Sequence, residues 1–275
     1  MRVASVLTAL LALSLTTPVW AAGEDESRWN ALRAMLFQDR PIHDGADVLT
    51  LDAPYRAFDA AIVPISVEPA FPQTEERHIR TVTLLIDENP LPLAGRFHFT
   101  PASGRAAFST RVRVNAYTNI RAIAETNDGE LYMAKRYVKA SGGCSAPAGK
   151  DPDAALARLG KMKLRQSDAI VLGEPNLAQL LISHPNHTGM QMDQISRHYV
   201  PAYFVNNIEV RYGDQPVLTV ESDISLSEDP SIHFYYTPAE PAELSVKVTD
   251  SKDLEFSRAW EMQGQRLLAD AGSDG

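Results

Sequence analysis

Apolar and polar residues alternate in short runs over most of the chain, which is the pattern of β-strands with one buried and one exposed face. For example, Ile208, Val210 and Tyr212 alternate with Glu209 and Arg211. Proline, glycine, aspartate and asparagine separate the runs, as they do in turns. The predicted strands are residues 61–67, 81–86, 96–99, 109–114, 120–125 and 130–138, and then 179–183, 204–212, 216–221, 232–236, 243–249 and 254–259.

About six short strands in each half, spaced about 8–15 residues apart, are typical of antiparallel sandwiches. The sequence therefore predicts an all-β fold of two β-sandwich domains in tandem. One short helix precedes the first sandwich, because apolar residues recur at spacings of three and four between Ser27 and Phe37. The residues with this spacing are Trp29, Leu32, Met35 and Leu36.

The two sets of strands are separated by residues 141–172, whose composition differs from the rest. This segment begins with Ser-Gly-Gly-Cys-Ser-Ala-Pro-Ala-Gly, which can bury little apolar surface, so we expect it to be mobile. Asp151 and Pro152 are typical of a helix start, and they predict a short helix within this linker. The apolar residues of that helix are Ala155, Leu156, Leu159 and Met162.

The first residues of the chain have the features of an export signal. Arg2 precedes an apolar run, and Val19-Trp20-Ala21 places small residues where a signal peptidase cleaves. We therefore predict a signal peptide at residues 1–21, cleaved near Ala21, and an exported protein. The run is too short to span a bilayer. The domains then predicted are residues 22–140, the linker 141–172, residues 173–262 and a flexible tail at 263–275.

Composition narrows the possible partners. The chain has 26 Lys and Arg against 35 Asp and Glu, and its formal net charge is −9. Because nucleic acids and anionic membrane surfaces bind Lys and Arg, this charge disfavours both as partners.

The chain contains a single cysteine, Cys144. One sulfur excludes an intramolecular disulfide, a thiolate metal cluster and a CxxC redox pair. Gly142 and Gly143 precede it, and Ser145 follows it, so no bulky neighbour in the sequence shields the sulfur. We therefore expect an exposed, functional thiol with Gly142 and Gly143 as its hinge, and an exposed thiol would also allow a disulfide-linked homodimer. The alternatives are a small buried hydrophobic residue and a catalytic nucleophile.

Three histidines are the other candidates for chemistry. His184 and His187, with His198 beyond them, are spaced like metal ligands, but Pro185 and Gly189 place the first two in a turn, and no acidic ligand follows at a fixed offset. A structural role for these histidines is favoured. We predict no catalytic residue, no metal and no cofactor.

Short motifs follow one another in order along both halves. In the first half they are Ala61-Ile62-Val63-Pro64-Ile65, Asp87-Glu88-Asn89-Pro90-Leu91-Pro92, Thr110-Arg111-Val112-Arg113, Asn127-Asp128-Gly129 and Gly142-Gly143-Cys144. In the second half they are His184-Pro185 with Thr188-Gly189-Met190, Val200-Pro201-Ala202-Tyr203-Phe204, Ser227-Glu228-Asp229-Pro230-Ser231 and residues 246–250. By these motifs the first half resembles SoxY and the second resembles SoxZ, the two subunits of the periplasmic sulfur-compound carrier of bacterial thiosulfate oxidation. A fused chain of this kind resembles the SoxYZ-like carriers associated with pyrroloquinoline-quinone (PQQ) alcohol dehydrogenases.

The resemblance implies two immunoglobulin-like antiparallel β-sandwiches and a non-enzymatic carrier located in the periplasm. Cys144 would be the covalent attachment point of a swinging arm, and the partners would be sulfur-oxidising enzymes or a PQQ alcohol dehydrogenase system. In SoxY the arm is a free C-terminus that reads Gly-Gly-Cys-Gly-Gly, whereas here Ser145 and Ala146 replace the last glycines and the chain continues. The alternative is a structural adaptor that docks to a quinoprotein dehydrogenase or its cytochrome without carrying a covalent group.

Overall fold

The structure, a computed structural model, describes residues 26–147, 149, 152–166, 169–262 and 264–265. The predicted signal peptide at residues 1–21 lies outside the described residues. So does the predicted tail at 263–275, apart from Gly264 and Gln265.

The described chain contains seventeen strands, two α-helices and one short 3-10 helix (Pro101–Ser103). The α-helices are α1 (Ser27–Phe37) and α2 (Pro152–Leu156). The strands are β1 (Ile42–Asp44), β2 (Leu49–Asp52), β3 (Val63–Pro69), β4 (Ile79–Ile86), β5 (Leu93–Phe99), β6 (Phe108–Val112), β7 (Thr118–Thr126), β8 (Leu131–Val138), β9 (Met162–Gln166), β10 (Ile170–Val171), β11 (Asn176–Ile182), β12 (Val205–Tyr212), β13 (Gln215–Ser222), β14 (Ser231–Tyr236), β15 (Ala242–Asp250), β16 (Glu255–Met262) and β17 (Gly264–Gln265).

The strands form two large sheets. One has nine strands in the order β1-β8-β7-β4-β5-β13-β12-β15-β16, and the other has six in the order β2-β3-β6-β14-β11-β9. Neighbouring strands within them are antiparallel except β1 and β8, while β10 and β17 form a separate parallel pair. The prediction of an all-β sandwich fold is confirmed, and each of the twelve predicted strands overlaps an observed one.

Both sheets run continuously through the two halves of the chain, which the alternation pattern did not predict. In the nine-stranded sheet β5 pairs with β13, with Phe97 opposite Val220, and in the six-stranded sheet β6 pairs with β14, with Phe108 opposite Phe234. The two halves therefore share their backbone hydrogen bonds as well as a common set of buried side chains.

The core lies between the two sheets and takes residues from both halves. Phe97 stacks on Phe108 with 3.7 Å between ring centroids, and Tyr212 stacks on Tyr236 at 5.3 Å. Burial of apolar surface is the main contribution to the stability of such a fold. Because single residues of each half pack on the other half, we expect the halves to stabilise each other.

Helix α1 has the predicted bounds and packs on the outer face of the nine-stranded sheet. Its buried residues Trp29, Leu32 and Phe37 contact Leu85, Ile123 and Leu131. Beneath it, the buried guanidinium of Arg121 forms a 2.8 Å ion pair with Asp87, contacts Glu26, and lies 4.4 Å from the ring centre of Trp29. This charged cluster fixes the start of the described chain on the sheet.

The linker differs in part from the prediction. The predicted helix is present but ends at Leu156, and Met162 is instead the first residue of strand β9. Alternating burial along β9, with Met162 buried and Lys163 exposed, is typical of the edge strand that it forms. Strands β1, β2, β9, β10 and β17 were not predicted. Within the described residues, no helix has the length and apolar character that crossing a membrane requires.

Candidate functional site

Cys144 lies on a short segment after β8, here called the cysteine loop (residues 141–147). Its side chain is fully buried, with an exposed fraction of 0%. The expectation of an exposed thiol is therefore wrong for this structure, whereas the expected mobility of the segment stays a prediction. Small neighbours in the sequence leave room for other parts of the chain to pack over the sulfur, and the cover comes from residues far away in sequence.

Backbone hydrogen bonds place the cysteine loop beside the segment that follows β6. The amide of Gly142 donates to the carbonyl of Asn115 at 2.9 Å, and the amide of Gly143 donates to that of Val114 at 3.0 Å. The amide of Val114 in turn donates to the carbonyl of Ala60 at 2.8 Å. The loop is therefore held by the first half of the chain before it reaches Cys144.

The two glycines before Cys144 have different structural roles. Gly142 has a φ of +80°, in the left-handed region that favours glycine, and the space around it is open. A Cβ on Gly143 would lie 2.0 Å from the carbonyl oxygen of Ala60. Gly143 thus permits close backbone packing in the closed loop. Their role as a hinge stays a prediction.

The second half of the chain covers the cysteine with residues 184–191, here called the covering loop. The hydroxyl of Thr188 donates a 2.6 Å hydrogen bond to the carbonyl oxygen of Cys144. The side-chain amide of Gln191 donates to the carbonyl of Ala146 at 3.0 Å. Both halves therefore hold the cysteine loop in place.

Gln191 also organises the covering loop itself. Its side-chain oxygen accepts a hydrogen bond from the amide of Thr188 at 3.2 Å and lies 3.1 Å from Nδ1 of His187. His187 exchanges backbone hydrogen bonds of 2.7 and 2.9 Å with Tyr203. Hydrogen bonds within the covering loop therefore fix Thr188 and Gln191, the two residues whose side chains hold the cysteine loop.

A buried arginine, Arg113, joins the two loops from beneath. Its Nη1 donates to the carbonyl of Gly143 at 3.2 Å, and its Nη2 donates to the carbonyl of Asn186 at 3.4 Å. The side chain of Asn89 holds the backbone around it, because its Nδ2 donates to the carbonyl of Arg113 and its Oδ1 accepts from the amide of Asn115, both at 2.8 Å.

The thiol of Cys144 is neutral at pH 7. Burial raises the pKa of Cys144 to about 11, and the positive charge of Arg113 opposes this shift without cancelling it. Since the thiolate is the reactive form of cysteine, the closed loop keeps the sulfur unreactive.

The three candidate histidines are not brought together as a metal site. His184 is fully buried, accepts a hydrogen bond from the amide of Asn186 at 3.1 Å on Nδ1, and has Nε2 3.6 Å from a carboxylate oxygen of Asp250. Burial lowers the pKa of both His184 and His187. His198 is exposed on the following segment. In the described part of the chain, no three His, Cys, Asp or Glu side chains are placed to share a metal ion.

Sequence reasoning missed the residues that hold Cys144. Asn89, Arg113 and Thr188 belong to the quoted motifs but had no assigned role. Gln191 lies outside those motifs and gave no signal that linked it to the cysteine. The signal available was the clustering of polar residues such as Asn, Arg and Thr within those motifs. Polar residues remain in a core only where they are hydrogen-bonded.

These features define a class of protein: a two-sheet, all-β protein whose only cysteine lies in a closed loop where the two halves meet. Comparison with protein-family models also divides the chain into two parts, with the boundary directly after the cysteine. Residues 33–144 match the sulfur oxidation protein SoxY, and residues 164–261 match the sulphur oxidation protein SoxZ. The chain therefore carries a SoxY domain and a SoxZ domain in tandem, and the SoxY match ends at Cys144.

Solved structures with partial likeness include the sulfur carrier protein SoxY from Chlorobium limicola f thiosulfatophilum. It is 24% identical and has a TM-score of 0.35, and the match covers 42% of this chain and 92% of that one. The superoxide reductase (neelaredoxin) from Ignicoccus hospitalis is 18% identical over 34% of this chain and 79% of its own, with a TM-score of 0.31. No curated protein matches the chain.

Proposed function

We propose that this protein is a carrier of sulfur oxidation that holds a sulfur intermediate covalently on Cys144 and presents it to partner enzymes. The observation that carries the proposal is the position of the only cysteine. It is the last residue of the SoxY match, and both domains hold the loop on which it lies.

Loading of the carrier is a thiol–disulfide exchange. The Cys144 thiol gives its proton to solvent, and the thiolate attacks one sulfur of a donor that contains an S–S bond. A new S–S bond forms on Cys144, the donor's S–S bond breaks, and the second donor sulfur leaves as an anion. The exchange has no net oxidation, so it needs no additional oxidant. The protein needs to supply only the thiol, and the catalytic groups belong to the partners.

Transfer requires the cysteine loop to open, because the thiol has no exposed surface in the closed structure. Opening breaks the hydrogen bonds to Asn115, Val114, Thr188 and Gln191. Each is worth about 1 kcal/mol net, so the closed loop is the resting state and opening is accessible. Closure protects a loaded sulfur from solvent thiols between two partners.

The surface around the cysteine loop suits the docking of a partner enzyme. Phe58 is fully exposed two residues before Ala60, which packs against Gly143. In the second half of the chain, Ile195 and Tyr199 are exposed on the segment that follows Gln191. Aromatic residues such as Phe and Tyr are enriched in protein interfaces relative to the rest of the surface. We propose that a sulfur-oxidising enzyme contacts these residues, here called the apolar rim (Phe58, Ile195 and Tyr199), when it receives the loop.

Export to the periplasm is part of the proposal and rests on the signal peptide predicted from residues 1–21. A disulfide-linked homodimer through Cys144 requires the open loop, because the closed loop leaves the sulfur inaccessible to a second chain. A PQQ alcohol dehydrogenase system is the alternative source of partners, and in that case the protein would be an adaptor that carries no covalent group.

Mass spectrometry of the protein purified from its native host tests the proposal. We expect a fraction of Cys144 to carry sulfur-containing adducts that a reductant removes, and the signal to vanish in a Cys144→Ser strain. We also expect the Cys144→Ser strain to lose thiosulfate-dependent oxygen uptake. Unmodified Cys144 in every preparation, together with normal uptake by the Cys144→Ser strain, would contradict the carrier and favour the adaptor.

A further inference from the structure

Arg113 is the most unusual buried charge in the described chain. Only 2% of its surface is exposed, and its two Nη atoms donate to backbone carbonyls alone. Its Nε has no hydrogen-bond partner. By contrast, the equally buried Arg121 has an ion pair with Asp87 at 2.8 Å. A buried cation that lacks a carboxylate is costly, so its presence calls for a counter-charge.

No charged side chain in the described residues supplies that counter-charge. Asp59 and Glu228 favour the charged form of Arg113, but neither lies within ion-pair distance. The other titratable group nearby, His187, interacts with Arg113 unfavourably when it is protonated. The remaining neighbour is Cys144, whose thiol is neutral in the closed loop.

The guanidinium is hydrogen-bonded to the residue next to Cys144. Its Nη1 bonds the carbonyl of Gly143, the residue directly before the cysteine, and its charge acts on the sulfur. The Nε hydrogen is free, and the Nη2 bond to Asn186 is long at 3.4 Å. Nε and Nη2 form one edge of the guanidinium, and this edge binds two oxygens of a sulfonate or carboxylate in a fork.

We propose that Arg113 is the counter-cation for a negatively charged group carried on Cys144, so that the closed loop holds an anionic adduct in preference to a neutral or cationic one. The inference rests on the proposed function and adds the residue that recognises the charge of the cargo. Groups of this class are a terminal sulfonate or a persulfide anion attached through sulfur. Arg113 is thus a specificity-determining residue for the cargo.

Two matched reagents test the inference on the purified chain. Sulfonatoethyl methanethiosulfonate and aminoethyl methanethiosulfonate transfer groups of similar size and opposite charge. In both reactions the Cys144 thiolate attacks the sulfenyl sulfur, an S–S bond forms, and methanesulfinate leaves. The thermal midpoint of unfolding is then measured for each adduct, with complete labelling verified by mass spectrometry.

We expect the wild-type protein with the anionic adduct to unfold about 3 °C higher than the same protein with the cationic adduct. The difference should disappear in Arg113→Met and persist in Arg113→Lys. If the role of Arg113 were merely structural, Arg113→Met would lower the midpoints of both adducts equally. Equal midpoints for the two wild-type adducts would overturn the inference, and this comparison needs no variant, so it holds even where Arg113→Met fails to fold. It is also independent of whether the native protein is loaded, which the Cys144→Ser strain decides separately.

Discussion

The hydroxyl of Thr188 donates a 2.6 Å hydrogen bond to the carbonyl oxygen of Cys144, and this bond joins the SoxZ domain to the last residue of the SoxY match. The same hydroxyl accepts a hydrogen bond from the amide of Met190 at 3.1 Å, so its orientation is fixed by its own loop. The accessibility of the thiol in one domain is therefore set by a side chain of the other.

Thr188→Val should increase the rate at which Cys144 is alkylated. Valine keeps the shape of threonine but leaves the carbonyl of Cys144 without its donor, which favours the open loop by about 1 kcal/mol. We expect an increase of about five- to tenfold in the rate of modification by iodoacetamide at pH 8. Thr110→Val is the matched control, because the buried hydroxyl of Thr110 has no hydrogen-bond partner. An equal change in both variants would contradict the role of Thr188.

Gly143→Ala should open the cysteine loop further than Gly142→Ala does. A Cβ on Gly143 meets the carbonyl oxygens of Ala60 and Val114 at 2.0 and 2.7 Å, while a Cβ on Gly142 meets nothing within 4 Å. Gly142→Ala costs about 1–2 kcal/mol from its positive φ alone. We expect alkylation of Cys144 to accelerate more than tenfold in Gly143→Ala and by a smaller factor in Gly142→Ala, whose strain is limited to its positive φ. A larger acceleration in Gly142→Ala would show that close packing of Gly143 does not keep the loop closed.

Stability should fall at alkaline pH because the folded chain keeps the Cys144 thiol protonated. Burial raises the pKa of Cys144 from 9.0 to about 11, so between these values the unfolded thiol ionises and the folded one does not. The free energy of unfolding should therefore drop by about 2–3 kcal/mol from pH 9 to pH 11 through this group. Urea unfolding of wild type and Cys144→Ala measures the difference. Parallel pH profiles for the two proteins would rule out this coupling.

Phe58→Ser should slow the use of the carrier by its partner without changing its stability. Phe58 is fully exposed beside the cysteine loop, so its loss removes contact area only from the apolar rim. We expect lower thiosulfate-dependent oxygen uptake by a strain with this variant. Leu177→Ser is the control, because Leu177 is also exposed but lies at the far end of β11 from the covering loop. Equal uptake in the two strains would place the docking surface elsewhere.

The two domains should unfold together in one transition. Strands β5 and β13 pair in one sheet and β6 and β14 in the other, so unfolding of one domain leaves an unpaired strand edge in both sheets of the other. In the chain without residues 1–21, which contain Trp20, the remaining tryptophans are Trp29 on α1 and Trp260 on β16, and they report on the two halves separately. We expect the fluorescence midpoints in urea of Trp29→Phe and Trp260→Phe to coincide with the midpoint from circular dichroism for each variant. Separate midpoints within one variant would mean independent domains.

Many of the strands could be predicted because they contact the core with alternate residues, a property that is local in sequence. Strand β12 is an example, since Ile208 and Val210 are buried while Glu209 is not. The pairing of β5 with β13 had no such signal. Alternation identifies the face that a strand buries and does not identify its neighbours.

The position of Cys144 could be predicted, but its burial could not. Gly142, Gly143 and Ser145 show that nothing nearby shields the sulfur, and the shielding residues Thr188 and Gln191 follow more than 40 residues later. Small residues are compatible with an exposed loop and equally with a loop over which another loop packs closely. Only the tertiary structure distinguishes the two.

The pairing of β5 with β13 also determines how the protein responds to dilution. If a separate subunit supplied the covering loop, that subunit would dissociate and expose the thiol as the protein was diluted, because association follows mass action. Here the cysteine loop and the covering loop belong to one polypeptide and to shared sheets, so closure is an intramolecular event. Every molecule therefore has one Cys144 thiol and one covering loop, whatever the concentration of the protein.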